Sequence, residues 1–176
     1  MSARERIVVG LKKAVPWILV ALLVGAVLSE IRGRGGIDTG KSAPPLALTL
    51  SDGTHFDLAQ TRGHVRVINF WGTYCPPCRR EAPTLSAVWR ELHARGDQLI
   101  GIAADDAELA NVAAFARQIG MQYPIAMGGA AELAAYRVQL LPTTYVINAE
   151  GVITHTVVGE VSASELREAV EEARAQ

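Results

Sequence analysis

From residue 44 to the C-terminus, apolar positions switch repeatedly between the period of a strand and the period of a helix. Leu46–Leu50 and Thr54–Leu58 flank Ser51-Asp52-Gly53, which predicts a β-hairpin with a Gly-containing turn. Val65–Trp71 is rich in β-branched and aromatic residues, a buried strand running straight into Gly72-Thr-Tyr-Cys75-Pro-Pro-Cys78. Leu85, Val88, Trp89 and Leu92 then fall on one face of a helix and read as core, while Pro83 is expected to kink that helix. Gln98–Ala104 is a second strand, and Ala107–Ile119 a helix with Leu109, Val112, Phe115 and Ile119 inward. A short strand at Tyr123–Met127 and a short helix at Ala130–Tyr136 follow. Thr143–Ile147 and Val152–Val158 pair across the turn at Asn148–Gly151, and Ser162-x-x-Glu165 is a capping box that starts the last helix. Strands alternating with helices predict an α/β sheet over one domain, 44–176.

The N-terminal quarter is patterned differently. Sixteen uncharged residues, Ala14 to Ser29, lie between Lys13 and Glu30; as a helix they span roughly 24 Å, slightly short of the hydrocarbon layer. Residues 1–43 carry seven basic and three acidic side chains, so the chain's net charge of −1 divides into +4 there and −5 beyond. The basic flank at 1–13 is expected to stay in the cytoplasm, with 14–31 a transmembrane signal-anchor and the following domain exported. A cleaved signal peptide, with Val24-Gly25-Ala26 as the small-residue site, is the alternative, and it exports the same domain. Gly-rich residues 32–43 read as a linker. A pI near 6.4 excludes the basic footprint of a nucleic-acid binder, and 49% hydrophobic composition excludes disorder.

The candidate chemistry sits in one place. Cys75 and Cys78 are the only cysteines, spaced Cys-x-x-Cys at a predicted strand-to-helix junction. The orphan N–H groups of a helix N-terminus favour negative charge, which marks Cys75 as the nucleophilic thiol. Cys78, one turn further in, suits a resolving thiol that attacks a mixed disulfide from inside. Pro76 and Pro77 fit the first helical turn. Half a zinc site is the rival reading; it lacks a second cysteine pair, and His55, His64, His93 and His155 are scattered, so neither a metal nor another cofactor is expected.

The run Asn69-Phe70-Trp71-Gly72-Thr73-Tyr74-Cys75-Pro76-Pro77-Cys78-Arg79-Arg80-Glu81-Ala82-Pro83, with Leu141-Pro142-Thr143-Thr144-Tyr145-Val146-Ile147 further on, resembles the thioredoxin superfamily. More narrowly it is similar to the membrane-tethered TlpA/ResA-like branch that includes the cytochrome c maturation reductases CcmG/DsbE. The resemblance covers 44–176. It implies a thioredoxin-like fold with an N-terminal β-hairpin, an inserted β/α unit and one N-terminal transmembrane helix. It also implies a redox disulfide between Cys75 and Cys78, a cis Pro142 facing it, and an extended client pairing with the backbone of Leu141. Gly72 stands three residues before Cys75, where peroxiredoxins place a threonine, which argues against that family.

Cytosolic thioredoxin carries a buried aspartate where this chain has Asn69, and the ResA-like branch carries an acid at the position of Glu81. Glu81 therefore inherits the role of proton acceptor for Cys78, the competing reading being a solvated residue beside Arg79 and Arg80. Tyr74, Leu141 and Thr143 are the expected substrate contacts; Trp71, also beside the motif, is a further candidate contact, with packing favoured because it ends a buried strand. Arg79 and Arg80 read as a solvated face. The resemblance implies an extracytoplasmic protein disulfide oxidoreductase of the cytoplasmic membrane that reduces client proteins and is resupplied by a membrane thiol–disulfide carrier. A disulfide-forming oxidant, a stress-related thiol protector and a redox-gated holdase would use the same atoms.

Overall fold

The computed structural model describes residues 36–176, together with 18–20, 22, 23 and 25. The segment 1–13 expected to be cytoplasmic and, apart from those few positions, the segment 14–31 expected to be the anchor lie outside the described residues, as does the start of the expected linker. Among the described residues no helix is long and apolar enough to cross a membrane.

A five-stranded mixed sheet organises the domain. Its order is β5 (Ile125–Met127), β4 (Gln98–Ala103), β3 (Arg66–Trp71), β6 (Thr143–Ile147) and β7 (Ile153–Val158). β3, β4 and β5 run parallel, and β6 and β7 antiparallel to their neighbours. β1 (Ala47–Thr49) and β2 (His55–Asp57) form the separate hairpin, closed by the Leu50 N–H donating to Thr54 O as its sequence predicts. The helices are α1 (Pro76–His93), α2 (Leu109–Gln118), α3 (Ala130–Ala135) and α4 (Ala163–Arg174). α1 runs unbroken through Pro83, whose ring is exposed.

All six residues of β3 are buried, because both faces of the sheet are covered. Val67 and Trp71 face α1, α2 and α4, where they pack with Leu85, Val88, Leu166 and Val170. Ile68 and Phe70 face the other way, onto the hairpin residue Phe56 and onto Tyr136 and Tyr145. Four inward positions shift from expectation. α2 buries Val112, Ala113 and Ala116, leaving Leu109, Phe115 and Ile119 half-buried, since small alanines let the helix sit close to the sheet. Trp89 is half-buried and stacks on His93, with ring centroids 5.3 Å apart. The Ser162–Glu165 capping box forms in both directions and starts α4.

The linker expected at 32–43 is domain from residue 36 onward. Gly40 N–H donates to Ile153 O, Ile153 N–H to Lys41 O and Ala43 N–H to Gly151 O, so this segment straps the edge beside β7. Gly36, which suggests a tether, is needed for close approach: with φ +86°, a Cβ there would lie 2.6 Å from Thr156 Cγ2. Buried Ile37 donates its N–H to the Tyr145 hydroxyl at 3.2 Å, and that hydroxyl in turn donates to Tyr136 O. Tyr145→Phe should leave two buried backbone groups unsatisfied and cost about 1–3 kcal/mol. Denaturant unfolding checks this, together with faster proteolytic cleavage between residues 36 and 43; unchanged stability would show that the hydroxyl does not hold the strap.

Candidate active site

β3 delivers the cysteines. Trp71 ends the strand, Gly72–Tyr74 turn the chain, and Cys75 is the N-cap of α1 with Pro76 and Pro77 in the first turn, where a missing N–H costs nothing. Cys75 and Cys78 are joined by a disulfide with S–S 2.07 Å and Cα atoms 5.3 Å apart. Cys75 Sγ accepts the Cys78 N–H at 3.3 Å, the cap interaction that favours charge on this sulfur when the bond opens. Cys75 keeps a sliver of exposure at 6%, whereas Cys78 has none.

The turn before Cys75 is held by residues that sequence spacing does not single out. Asp105, just past the end of β4, accepts the Thr73 N–H at 3.0 Å and the Thr73 hydroxyl. Arg79 reaches back to donate to Thr73 O at 2.7 Å, and its guanidinium lies 5.0 Å from the centre of the Phe115 ring. Asp105 follows the same sheet edge from which Cys75 emerges; that topological position is the signal that could have found it.

Opposite this turn, the Leu141–Pro142 peptide is cis, as the resemblance implies. Pro142 is buried and its carbonyl accepts the Gly159 N–H at 2.8 Å. A Cβ at Gly72 would sit 3.0 Å from the Tyr74 ring and 3.3 Å from Leu141 Cδ1, so glycine there lets the cysteine turn and the Pro142 loop meet. Tyr74 is 64% exposed while its hydroxyl donates to Ala104 O, and neighbouring Leu140 is 61% exposed. Tyr74 and Leu140 therefore present exposed apolar surface on the two loops, with Leu141 half-buried between them and the core. The expected substrate contact at Thr143 is corrected, and Trp71 packs as favoured. Trp71 is fully buried in the core, and Thr143, also buried, spends its hydroxyl on Leu140 O at 2.7 Å. Neither side chain is accessible to a client.

Beneath the cysteines lies the acid. Glu81, one turn after Cys78 in α1, is only 3% exposed, which removes the solvated-helix reading. Its Oε1 accepts from Asn69 Nδ2 at 2.9 Å and its Oε2 from the Val161 N–H at 3.2 Å. The same Asn69 nitrogen donates to Thr144 Oγ1 at 3.0 Å, tying β3, β6 and α1 together. Burial pushes the Glu81 carboxyl up from 4.5 to about 7; the two donated hydrogen bonds oppose the rise and the charge of Glu160 adds to it. Tyr123 is likewise held well above its ordinary value, by burial and by the neighbouring Glu81 charge. A sheet edge thus brings together a helix-capped disulfide, a cis proline loop with apolar flanks, and a buried carboxyl able to exchange a proton near neutral pH.

The redoxin family model matches residues 38–173. The chain belongs to the redoxin family. This redoxin is 31% identical over 155 residues to the thiol-disulfide oxidoreductase ResA of a Bacillus cereus strain, covering 85% of this chain and 89% of the relative. It is 30% identical over 133 residues to ResA of Bacillus subtilis (strain 168), covering 75% and 74%. Among solved structures, a thiol:disulfide interchange protein of the thioredoxin family from Chlorobium tepidum TLS superposes with a TM-score of 0.68 at 29% identity, covering 78% of this redoxin and 97% of that chain. A candidate DsbE from Chlorobium tepidum gives 0.69 at 26% identity, covering 78% and 98%. The fold is thioredoxin-like, with β5 and α3 as the additional strand and helix between α2 and β6. The redoxin is a thiol–disulfide oxidoreductase.

Proposed function

We propose that this redoxin is a membrane-anchored, extracytoplasmic reductase of client disulfides, of which the cysteine pair of an apocytochrome c awaiting haem is one. The observation that carries the reading is Glu81, a carboxyl buried next to the resolving thiol and titrating near neutrality. The basic, apolar N-terminal segment supports export and anchoring.

In the reductive half-cycle the Cys75 thiolate attacks one client sulfur, and the client's other sulfur leaves as thiolate. Tyr74 and Leu141 flank the mixed disulfide, with the client backbone alongside Leu141. Cys78 then passes its proton to the Glu81 carboxylate and its sulfur attacks Cys75 Sγ, so the second client thiolate departs and the Cys75–Cys78 bond forms. Two electrons have moved to the client. A membrane thiol–disulfide carrier returns them by reducing the Cys75–Cys78 bond.

The full chain, reduced, should reduce an oxidised Cys-x-x-Cys-His peptide stoichiometrically, with a couple more reducing than about −200 mV. Mass spectrometry of the peptide and equilibration against glutathione read both. A potential near the roughly −120 mV of strong disulfide-forming oxidants, with the peptide left oxidised, would overturn the reductase reading in favour of the oxidant.

A further inference from the structure

A solvent cleft of about 350 Å³ opens between α1 and the loop joining β7 to α4, and neither cysteine lines it. Glu81, Thr84, Val161 and Ser162 line it. Arg80 from α1 and Glu160 from the loop close an ion pair at its mouth, Nε to Oε1 2.6 Å, although both side chains remain well exposed. Glu160 immediately precedes Val161, whose N–H is one of the two donors on the Glu81 carboxylate. The cysteine side offers no comparable access, since Cys78 is completely buried.

We propose that Glu81 exchanges its proton with solvent through this cleft, and that the Arg80–Glu160 pair is the positioning element that governs the exchange. The proposal rests on the proton-acceptor role given to Glu81 above. The proton that Glu81 takes from Cys78 either returns to Cys78 when the disulfide is next reduced or equilibrates with solvent, and the cleft is the side on which Glu81 Oε2 lies. The charged and titratable groups facing Glu81 are Arg80 on its own helix, Cys78 within the disulfide, Tyr123 before β5, Glu160 in the loop and Glu165 in the first turn of α4. Asn69 and Thr144 contribute neutral dipoles only. Of the charged groups, Glu160 raises the Glu81 value and Arg80, paired with it, offsets part of that charge, so removing either one changes the field at the carboxyl.

The oxidised full chain is the sample of choice, because a disulfide does not titrate and the Glu81 carboxyl can be followed alone by ¹³C NMR or by its infrared carbonyl band. Glu160→Gln should move the Glu81 midpoint down and Arg80→Gln should move it up, each by on the order of half a pH unit, with the double variant returning close to the parent. High salt should shrink both shifts. A merely structural ion pair would move both midpoints in the same direction or neither, and that result overturns the inference. Should Glu81→Gln leave the pH profile of thiol reactivity unchanged while these shifts occur, the proton-acceptor role itself fails and the cleft only reports on a buried acid.

Discussion

Cys75→Ser should abolish disulfide exchange by this protein, by on the order of a thousandfold or more, and capture no clients, while Cys78→Ser should stall after the first step and accumulate mixed disulfides. The asymmetry follows from where each sulfur sits on α1. Cys75 is the N-cap, where its sulfur meets the Cys78 N–H and the positive end of the helix, and of the two cysteines it alone has any exposed surface. Cys78 lies a turn inside, with no exposure and with Glu81 a further turn below it. A client sulfur can therefore reach Cys75 but not Cys78. With Cys75 removed, the remaining thiol is shut in the core. With Cys78 removed, the mixed disulfide at Cys75 has no internal attacker and persists. Non-reducing gels of the two variants incubated with an oxidised Cys-x-x-Cys-His peptide read the outcome directly. Adducts with Cys75→Ser, or equal alkylation rates of the two reduced thiols, would reverse the assignment.

How much of this could be read from the sequence depends on the distance over which each feature is determined. The hairpin, β3, α1, β6, β7 and the α4 capping box are local. Period, turn residues and caps specify them within a few positions, and all of them form. The cysteine pair is local too, being set by the strand-to-helix junction. The boundary at residue 36 was illegible, because Gly-rich composition signals a tether unless a distant tyrosine and threonine leave room for nothing larger than glycine. Arg66 is a similar case. Nothing local in the sequence gives its partner, and it is fully buried, donating through Nη1 to Ala149 O at 3.3 Å across the sheet end. Asp105 and Asn69 act through partners 32 and 12 residues away, so their roles emerge only when the sheet assembles. Trp71 is the converse: it adjoins the cysteines, but the period-two alternation of β3 points it into the core, as its place at the end of a buried strand suggests.

Glu81→Gln should flatten the pH dependence of folding stability between about pH 4.5 and 7, and this is the largest stability effect expected of a single isosteric change at the site. The acid's folded value is about 7 against an ordinary 4.5, so within that window the folded state holds a proton that the unfolded chain has released. Stability falls wherever the folded state binds more protons as pH rises. The contribution of Glu81 is thus complete below pH 4.5, declines through the window, and levels off above pH 7, a loss of about 3 kcal/mol from a shift of that size. Burial to 3% exposure means little solvent screening reduces it. Glutamine cannot ionise, and this loss vanishes. Its amide fits imperfectly, because Asn69 Nδ2 and the Val161 N–H both donate to the native carboxylate and one of them must meet an –NH₂, at a cost of about 1–2 kcal/mol. Glu81→Gln should consequently be less stable than the parent at pH 5 and more stable at pH 8. Crossing denaturation midpoints, measured on the oxidised proteins across that range, would establish that the buried acid carries its proton in the fold; parallel midpoints would place its titration outside the window and remove it as a proton acceptor for Cys78.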